Sequence, residues 1–264
     1  ADQVGSLLRP QRLKDARERF QRNEINQDDL RAIEDDAIRD VVRKQEALGL
    51  QGITDGEFRR TFFHVDFLQR LEGVAVSGGI ATKFRKHDGD IGFAPPRITV
   101  TGKLRHVRDI QTADFQFLQS VTTRTPKVAI PSPTMVHFRG GRKGIHITAY
   151  PDLDEFFVDL AQAYRAEVDS LYKAGCRYLQ MDDTNLAYLC DPRMREAAKQ
   201  RGDDPDELPH REILDVAGPY LGPCPSVQSN WTPFDSRSRL FAKWGTPAVD
   251  EADLWQFASF AVEP

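Results

Sequence analysis

The chain has 264 residues, 40% of them hydrophobic, with 36 lysines and arginines against 40 aspartates and glutamates, a formal net charge of -4. That balance gives no reason to expect nucleic acid or an anionic membrane as partner and favours a small-molecule ligand. Three widely spaced cysteines without a C-x-x-C pair argue against a secreted disulfide framework. With no apolar run of about 18 residues and no signal-like start, the expectation is one soluble, cytoplasmic domain over residues 1–264.

In chain order, the first clear element is a helix over 27–48. Leu30, Ile33, Ala37, Ile38, Val41, Val42 and Ala47 recur at three-and-four spacing, Asn26 is placed to cap the start and Gly49 to stop the end. Ile53 opens a short strand that runs into T-D-G-E-F-R-R (54–60). Two carboxylates, a glycine and two arginines at a strand end mark either a solvated turn or a grip for a zwitterionic ligand. Residues 74–104 predict two strands, G-V-A-V-S-G-G-I and P-P-R-I-T-V-T-G-K-L, joined by a polar loop holding Lys86, His87, Asp88, Gly89 and Asp90, a hairpin excursion from the main fold. P-K-V-A-I-P-S-P (126–133) then reads as strand and turn, 152–174 as a long helix with Phe156, Phe157, Leu160, Ala161, Tyr164, Val168 and Leu171 on one face, and C-R-Y-L-Q-M-D-D (176–183) as a buried strand. From about 218 onward periodicity is weak, and 218–264, which holds all three tryptophans, is expected to be a divergent tail of uncertain fold.

Alternating strands and helices imply a parallel sheet, and the length suits a TIM-barrel type (β/α)8 fold with a hairpin insertion, open to being incomplete at its C-terminal end. In such folds chemistry gathers at the carboxyl ends of strands. Four polar strand ends qualify: Gly5 and Ser6, Asp55 to Arg60, Ser132 to Thr134 with His137, and Asp182 to Asn185. Asp182 and Asp183 are the sharpest signal. Neighbours on a strand point to opposite faces, so at most one of them faces the interior, where a carboxylate could hold an ammonium or donate a proton; otherwise both are capping residues. His64, His137 and His210 are isolated and read as structural, Cys190 as a buried thiol, and R-G-G-R-K-G (139–144) matches no phosphate-binding loop.

V-G-S-L-L-R-P (4–10), T-D-G-E-F-R-R (54–60), I-P-S-P-T-M (130–135) and A-G-C-R-Y-L-Q-M-D-D-T-N-L-A-Y-L-C-D-P (174–192) together resemble the catalytic barrel of the cobalamin-independent methionine synthase family, specifically its short single-barrel members, over roughly residues 1–215. The resemblance implies zinc-dependent transfer of a methyl or related alkyl group to a thiol such as homocysteine from a methylated folate or similar donor. It carries substrate contacts over to Gly5 and Ser6, and an ammonium-binding role to Glu57 and to Asp182, the latter also the expected catalytic residue.

The pattern departs from the family at the metal. The H-x-C motif is missing, and only Cys190, His210 and Cys224 lie where ligands are expected, too few recognisable donors for a catalytic zinc site, so zinc is implied by the family without a ligand set. A truncation, a frame change or lost segments after about residue 215 would produce this departure. The alternative reading is a metal-free, catalytically incompetent binding protein that retains the amino acid pocket. A barrel lacking its last strands exposes sheet edges, so a covering tail or a homo-oligomer is a further expectation.

Overall fold

The computed structural model describes residues 3–78, 82–86, 89–93, 96–183, 185, 191–206, 241–243 and 256–258. An N-terminal segment leads into helix α1 (Gln11–Gln21) and helix α2 (Gln27–Ala47). Asn26 caps α2 through a reciprocal box: its side chain accepts from the N–H of Asp29, and the Asp29 carboxylate accepts from the N–H of Asn26. Gly49 follows the helix with φ +79, a left-handed conformation in which glycine carries no Cβ penalty. Both ends of α2 thus fall where the sequence places them. Its buried face also takes Glu34 and Gln45, two polar residues that an apolar pattern does not select.

Strand β1 (Gly52–Ile53) pairs in parallel with β6 (Thr125–Pro126), and β7 (Val128–Pro131) pairs in parallel with β8 (Leu179–Asp182). Only Lys127 separates β6 from β7. Its N–H bonds Ile53 O at 2.7 Å while the next N–H, of Val128, bonds Tyr178 O at 3.1 Å, so one extended stretch bridges β1 on one side and β8 on the other. Helix α5 (Leu153–Lys173) connects β7 to β8 and buries Phe156, Phe157, Leu160, Tyr164, Val168 and Leu171, the stripe expected from its spacing. This is the parallel strand-helix-strand unit that alternation implies.

Between helix α3 (Val65–Leu68) and helix α4 (Thr112–Val121), strand β2 (Glu72–Ser77) pairs antiparallel with β5 (Arg97–Arg105) in the stretch where a hairpin excursion was expected. Its connection differs from the expected polar loop. β3 (Thr82–Lys86) and β4 (Gly89–Phe93) form a second antiparallel pair with Lys86 opposite Gly89, and only two residues, 87 and 88, join them. So short a link suffices for an antiparallel hairpin, and the segment supplies its own backbone partners.

Two further departures concern the barrel expectation. Gly5 and Ser6 do not end a strand; they lie in a segment without strand pairing that bends at Gly5. After α6 (Pro192–Arg201), the described part of the tail contributes β9 (Phe241–Lys243) and β10 (Gln256–Ala258). β10 runs parallel to β8, whereas β9 is antiparallel to β10, a pairing that an all-parallel barrel does not contain. Closure of a barrel is not seen among the described residues. Two hydrophobic clusters hold the elements together, one around α5, β5, β7 and β8, the other joining α1, α2, β1 and Leu118 of α4. Among the described residues, no helix is long and apolar enough to cross a membrane.

Candidate amino acid site

The N-terminal segment is held where it is by side chains from three strand ends. Lys127 Nζ donates to Gln3 O, Gln180 Nε2 to Val4 O at 3.2 Å, and Thr54 Oγ1 to Gly5 O at 2.8 Å. Three consecutive carbonyls that a strand neighbour would have satisfied are thus taken by donors from beside β7, from β8 and from just beyond β1. Thr54 is fixed in turn by Gln45 of α2, whose amide accepts from Thr54 N at 3.0 Å and donates to Thr54 O at 2.7 Å. Leu7 N donates to Gly56 O at 3.1 Å and so fastens the segment to the T-D-G-E-F-R-R loop.

In that loop Asp55 turns the chain by accepting the Glu57 N–H on Oδ1 at 2.8 Å, and Glu57 adopts φ +58, a conformation that non-glycine residues seldom take. The Glu57 carboxylate reaches Gly5. A Cβ added to Gly5 would stand 2.9 Å from Glu57 Oε1, and Gly5 itself has φ +111, so only glycine leaves room for that oxygen. Arg60 Nε donates to Glu57 Oε2 at 2.9 Å, its Nη2 approaches the same oxygen, and its Nη1 donates to Ala129 O at 3.2 Å. Arg59, by contrast, turns to the helices: it pairs with Asp35 and lies 4.6 Å from the Phe117 ring centre. The two adjacent arginines therefore do separate work, one facing the site and one tying the loop to α2 and α4.

Asp182 ends β8, and its Oδ1 accepts from Gln180 Nε2 at 2.6 Å. Burial pushes its carboxyl up from the ordinary aspartate value, with the Gln180 hydrogen bond, Arg60 and Lys127 acting against it. Burial likewise pushes Glu57 up; Arg60 opposes the shift, while the charges of Asp182 and Asp55 add to it. Glu57 and Asp182 are thus coupled across Arg60. Asp183 takes the capping role: its Oδ1 accepts from Asn185 N at 3.0 Å and from Thr134 Oγ1 at 3.2 Å. The Thr134 hydroxyl also receives Asn185 Nδ2 at 2.7 Å and lies 2.6 Å from Ser132 Oγ. With its one proton given to Asp183, it accepts from both others, so its hydrogen-bonding capacity is full. This network joins the ends of β7 and β8.

The structure therefore brings Gly5, Glu57 and Asp182 to one region, while Ser6 lies beside them at an exposed position. His64 and His137 are buried, each pushed down to about 4 chiefly by burial, and His137 packs edge-on against Phe156 and Phe157; both rings are neutral near pH 7. Arg142 of the R-G-G-R-K-G stretch donates to Ile145 O and Tyr150 O and serves a turn. Gln45, Lys127 and Gln180 support the candidate site and were not picked out by sequence patterning, whereas Arg60 lay within the polar strand end 55–60 without an assigned role. The only local hint to the first three was their polarity within or beside otherwise apolar runs.

A cleft of about 380 Å3 extends from Gly5, Glu57 and Arg60 to Glu34 of α2 and Asp114 of α4. Glu34 is pushed up to about 7 by burial, against the pull of Arg17, Arg59 and Arg31. Because its folded value lies above the unfolded one, the native chain binds the extra proton, and stability falls as pH rises from about 4.5 to about 7. Glu34→Gln is expected to flatten that decline by on the order of 1–2 kcal/mol, a figure discounted for partial solvent screening. Urea denaturation of both proteins at pH 5 and pH 7.5 checks it; parallel pH dependences would count against Glu34 as the cause.

Among the described residues no group of three histidines, cysteines, aspartates or glutamates is placed to hold a metal ion. Cys190, His210 and Cys224 lie outside the described residues. The side chains in view do not fit a zinc site, and no chemical step is routed through zinc.

The catalytic-domain model of the cobalamin-independent synthases matches residues 1–201. The chain belongs to that family. Its relatives include the uncharacterized protein YxjH of Bacillus subtilis, 41% identical over 217 residues that make up 79% of this chain and 54% of YxjH. A 5-methyltetrahydropteroyltriglutamate–homocysteine methyltransferase of Bifidobacterium animalis is 30% identical over 217 residues, 82% of this chain and 25% of that protein. Among solved structures, a Listeria monocytogenes protein described as a candidate vitamin-B12-independent methionine synthase superposes with TM-score 0.67 at 37% identity, covering 84% of this chain and 61% of that one. The chain thus spans about half the length of YxjH and less of the larger methyltransferase.

Proposed function

We propose that this chain carries the amino acid subsite of a cobalamin-independent methionine-synthase-type transferase, which moves a methyl or related alkyl group to the thiol of homocysteine or a similar amino acid. The observation that carries the reading is the meeting of Gly5, Glu57 and Asp182, residues from three separate stretches of chain, in one coupled cluster. Family membership and the methyltransferase activity by which the Bifidobacterium relative is named support the same assignment.

An α-ammonium is the ligand group this cluster suits. Burial pushes both Glu57 and Asp182 up, and the charges of Asp182 and Asp55 add to the shift at Glu57. A cation placed between them relieves that cost and keeps both ionised, while the paired carboxylates keep the ammonium protonated. In the family zinc activates the thiol, and the methylated folate would be the donor; both remain expectations carried by family membership.

Calorimetric titration of the chain with homocysteine, together with zinc analysis of metal-replete protein, tests the proposal. Homocysteine binding supports the subsite, and absence of binding by homocysteine and related amino acid thiols overturns it. Zinc bound one-to-one favours the transferase over the metal-free binder. Gly5→Ala adds strain of roughly 1–3 kcal/mol and crowds Glu57 Oε1, so homocysteine affinity should fall about 10- to 100-fold. Unchanged affinity would remove Gly5 from the pocket wall.

A further inference from the structure

We infer that Arg60 is a positioning residue for the amino acid subsite: it occupies Oε2 of Glu57 and leaves Oε1, beside the bare Cα of Gly5, to receive the ammonium of the substrate. The inference rests on the amino acid reading of the site and adds to it a residue which that reading does not use.

Arg60 is buried and anchored on several sides. Nε and Nη2 face one carboxylate oxygen of Glu57, and Nη1 donates to Ala129 O at the centre of β7. Its own carbonyl accepts from Arg9 Nη2 at 2.7 Å and from Arg17 Nη1 at 3.1 Å, while Arg9 Nη2 also donates to Glu57 O at 3.0 Å. The backbone at both ends of the Glu57–Arg60 turn is thus clamped by the N-terminal segment and α1. A guanidinium held this way fixes the position of the carboxylate oxygen it grips, because two of its N–H donors converge there from a rigid frame. Arg60 engages Oε2, and Oε1 lies against Gly5, where an added Cβ would come within 2.9 Å of it.

The charged groups around Glu57 come from each neighbouring element. Asp55 and Arg60 share its loop, Arg9 approaches from the N-terminal segment, Asp182 from β8, and Lys127, between β6 and β7, acts on Asp182. Arg60 offsets both buried carboxylates, so it also helps set the pH range in which they stay ionised together. An opposite charge at such range lowers a carboxylate by about 1–3 pH units, and that is the scale of the effect to look for.

The test uses the full chain with Arg60→Met and Arg60→Lys. Carboxyl-13C NMR without ligand, with the Glu57 signal assigned from Glu57→Gln, reads the titration of Glu57; calorimetry with homocysteine reads binding. Arg60→Met should move the Glu57 midpoint up by about one unit or more and weaken homocysteine at least ~10-fold at pH 7. Arg60→Lys keeps the charge but not the fork, so it should leave the midpoint near that of wild type and still weaken homocysteine about 3- to 10-fold. If Arg60→Met does not fold, Arg60→Lys decides the matter, since wild-type affinity in that variant overturns the inference. An unmoved Glu57 midpoint in folded Arg60→Met overturns it as well. Failure of the wild-type chain to bind homocysteine overturns the amino acid reading instead, and is distinguishable because the ligand-free titration does not depend on it.

Discussion

Glu57→Ala is expected to destabilise the chain by about 3–5 kcal/mol and to remove homocysteine binding. The partners of the ion pair are nearly sealed from solvent, with side-chain exposures of 10% for Arg60 and 9% for Glu57. Deleting the carboxylate leaves a buried guanidinium without its counter-charge, which costs far more than the net worth of the pair. Replacing both residues by apolar ones, Glu57→Leu with Arg60→Met, should therefore recover much of the lost stability while binding stays absent. Urea denaturation and calorimetry on the single and double variants check this. A double variant as unstable as the single one would mean that the Glu57 side chain acts through packing and not through charge. A single variant that still bound homocysteine would exclude Glu57 from the site.

The second large effect lies away from the site. Glu167, in the middle of α5, has no exposed surface and accepts three hydrogen bonds: from Ile110 N at 3.0 Å, from Gln111 N at 2.8 Å and from His106 Nε2 at 2.6 Å. It satisfies two backbone donors where the chain turns from β5 into α4. Glu167→Leu fits the space approximately but strands both N–H groups, at about 1–3 kcal/mol each, for an expected loss of roughly 2–6 kcal/mol. Hydrogen exchange at Ile110 and Gln111 should accelerate with it, while homocysteine affinity of the folded fraction stays within about 2-fold. Slow exchange at these two amides in the variant would show that other acceptors replace the carboxylate.

Much of the helical framework was legible in the sequence. The Asn26 cap, the Gly49 stop and the apolar stripe of α5 are local features, and local chemistry suffices to place them. The polar ends of β1, β7 and β8 were equally visible, since each follows an apolar strand directly. The first segment was expected to be a strand end, but Gly5 and Ser6 pair with no strand. What holds it is a set of side chains more than 40 residues away, and no local pattern encodes them. The second hairpin, β3 with β4, was read as a polar loop because its charged residues masked an alternation that needs only backbone pairing.

The arginines show the limit most directly. In sequence Arg59 and Arg60 are adjacent and equivalent; in the fold one joins Asp35 and Phe117 on the helices, and the other grips Glu57. Asp182 and Asp183 divide in the same way, one coupled to Arg60 and the other capping the turn at Asn185. By itself the sequence determined the residue types, the helix bounds, the polar strand ends and the motifs that place the chain in its family. Only the tertiary structure decided which of two like neighbours faces the site, and which of Gln45, Lys127 and Gln180 hold it together. Periodicity and capping act over one or two turns of chain, whereas the partner of a buried charge is chosen by packing among segments that the chain order keeps apart.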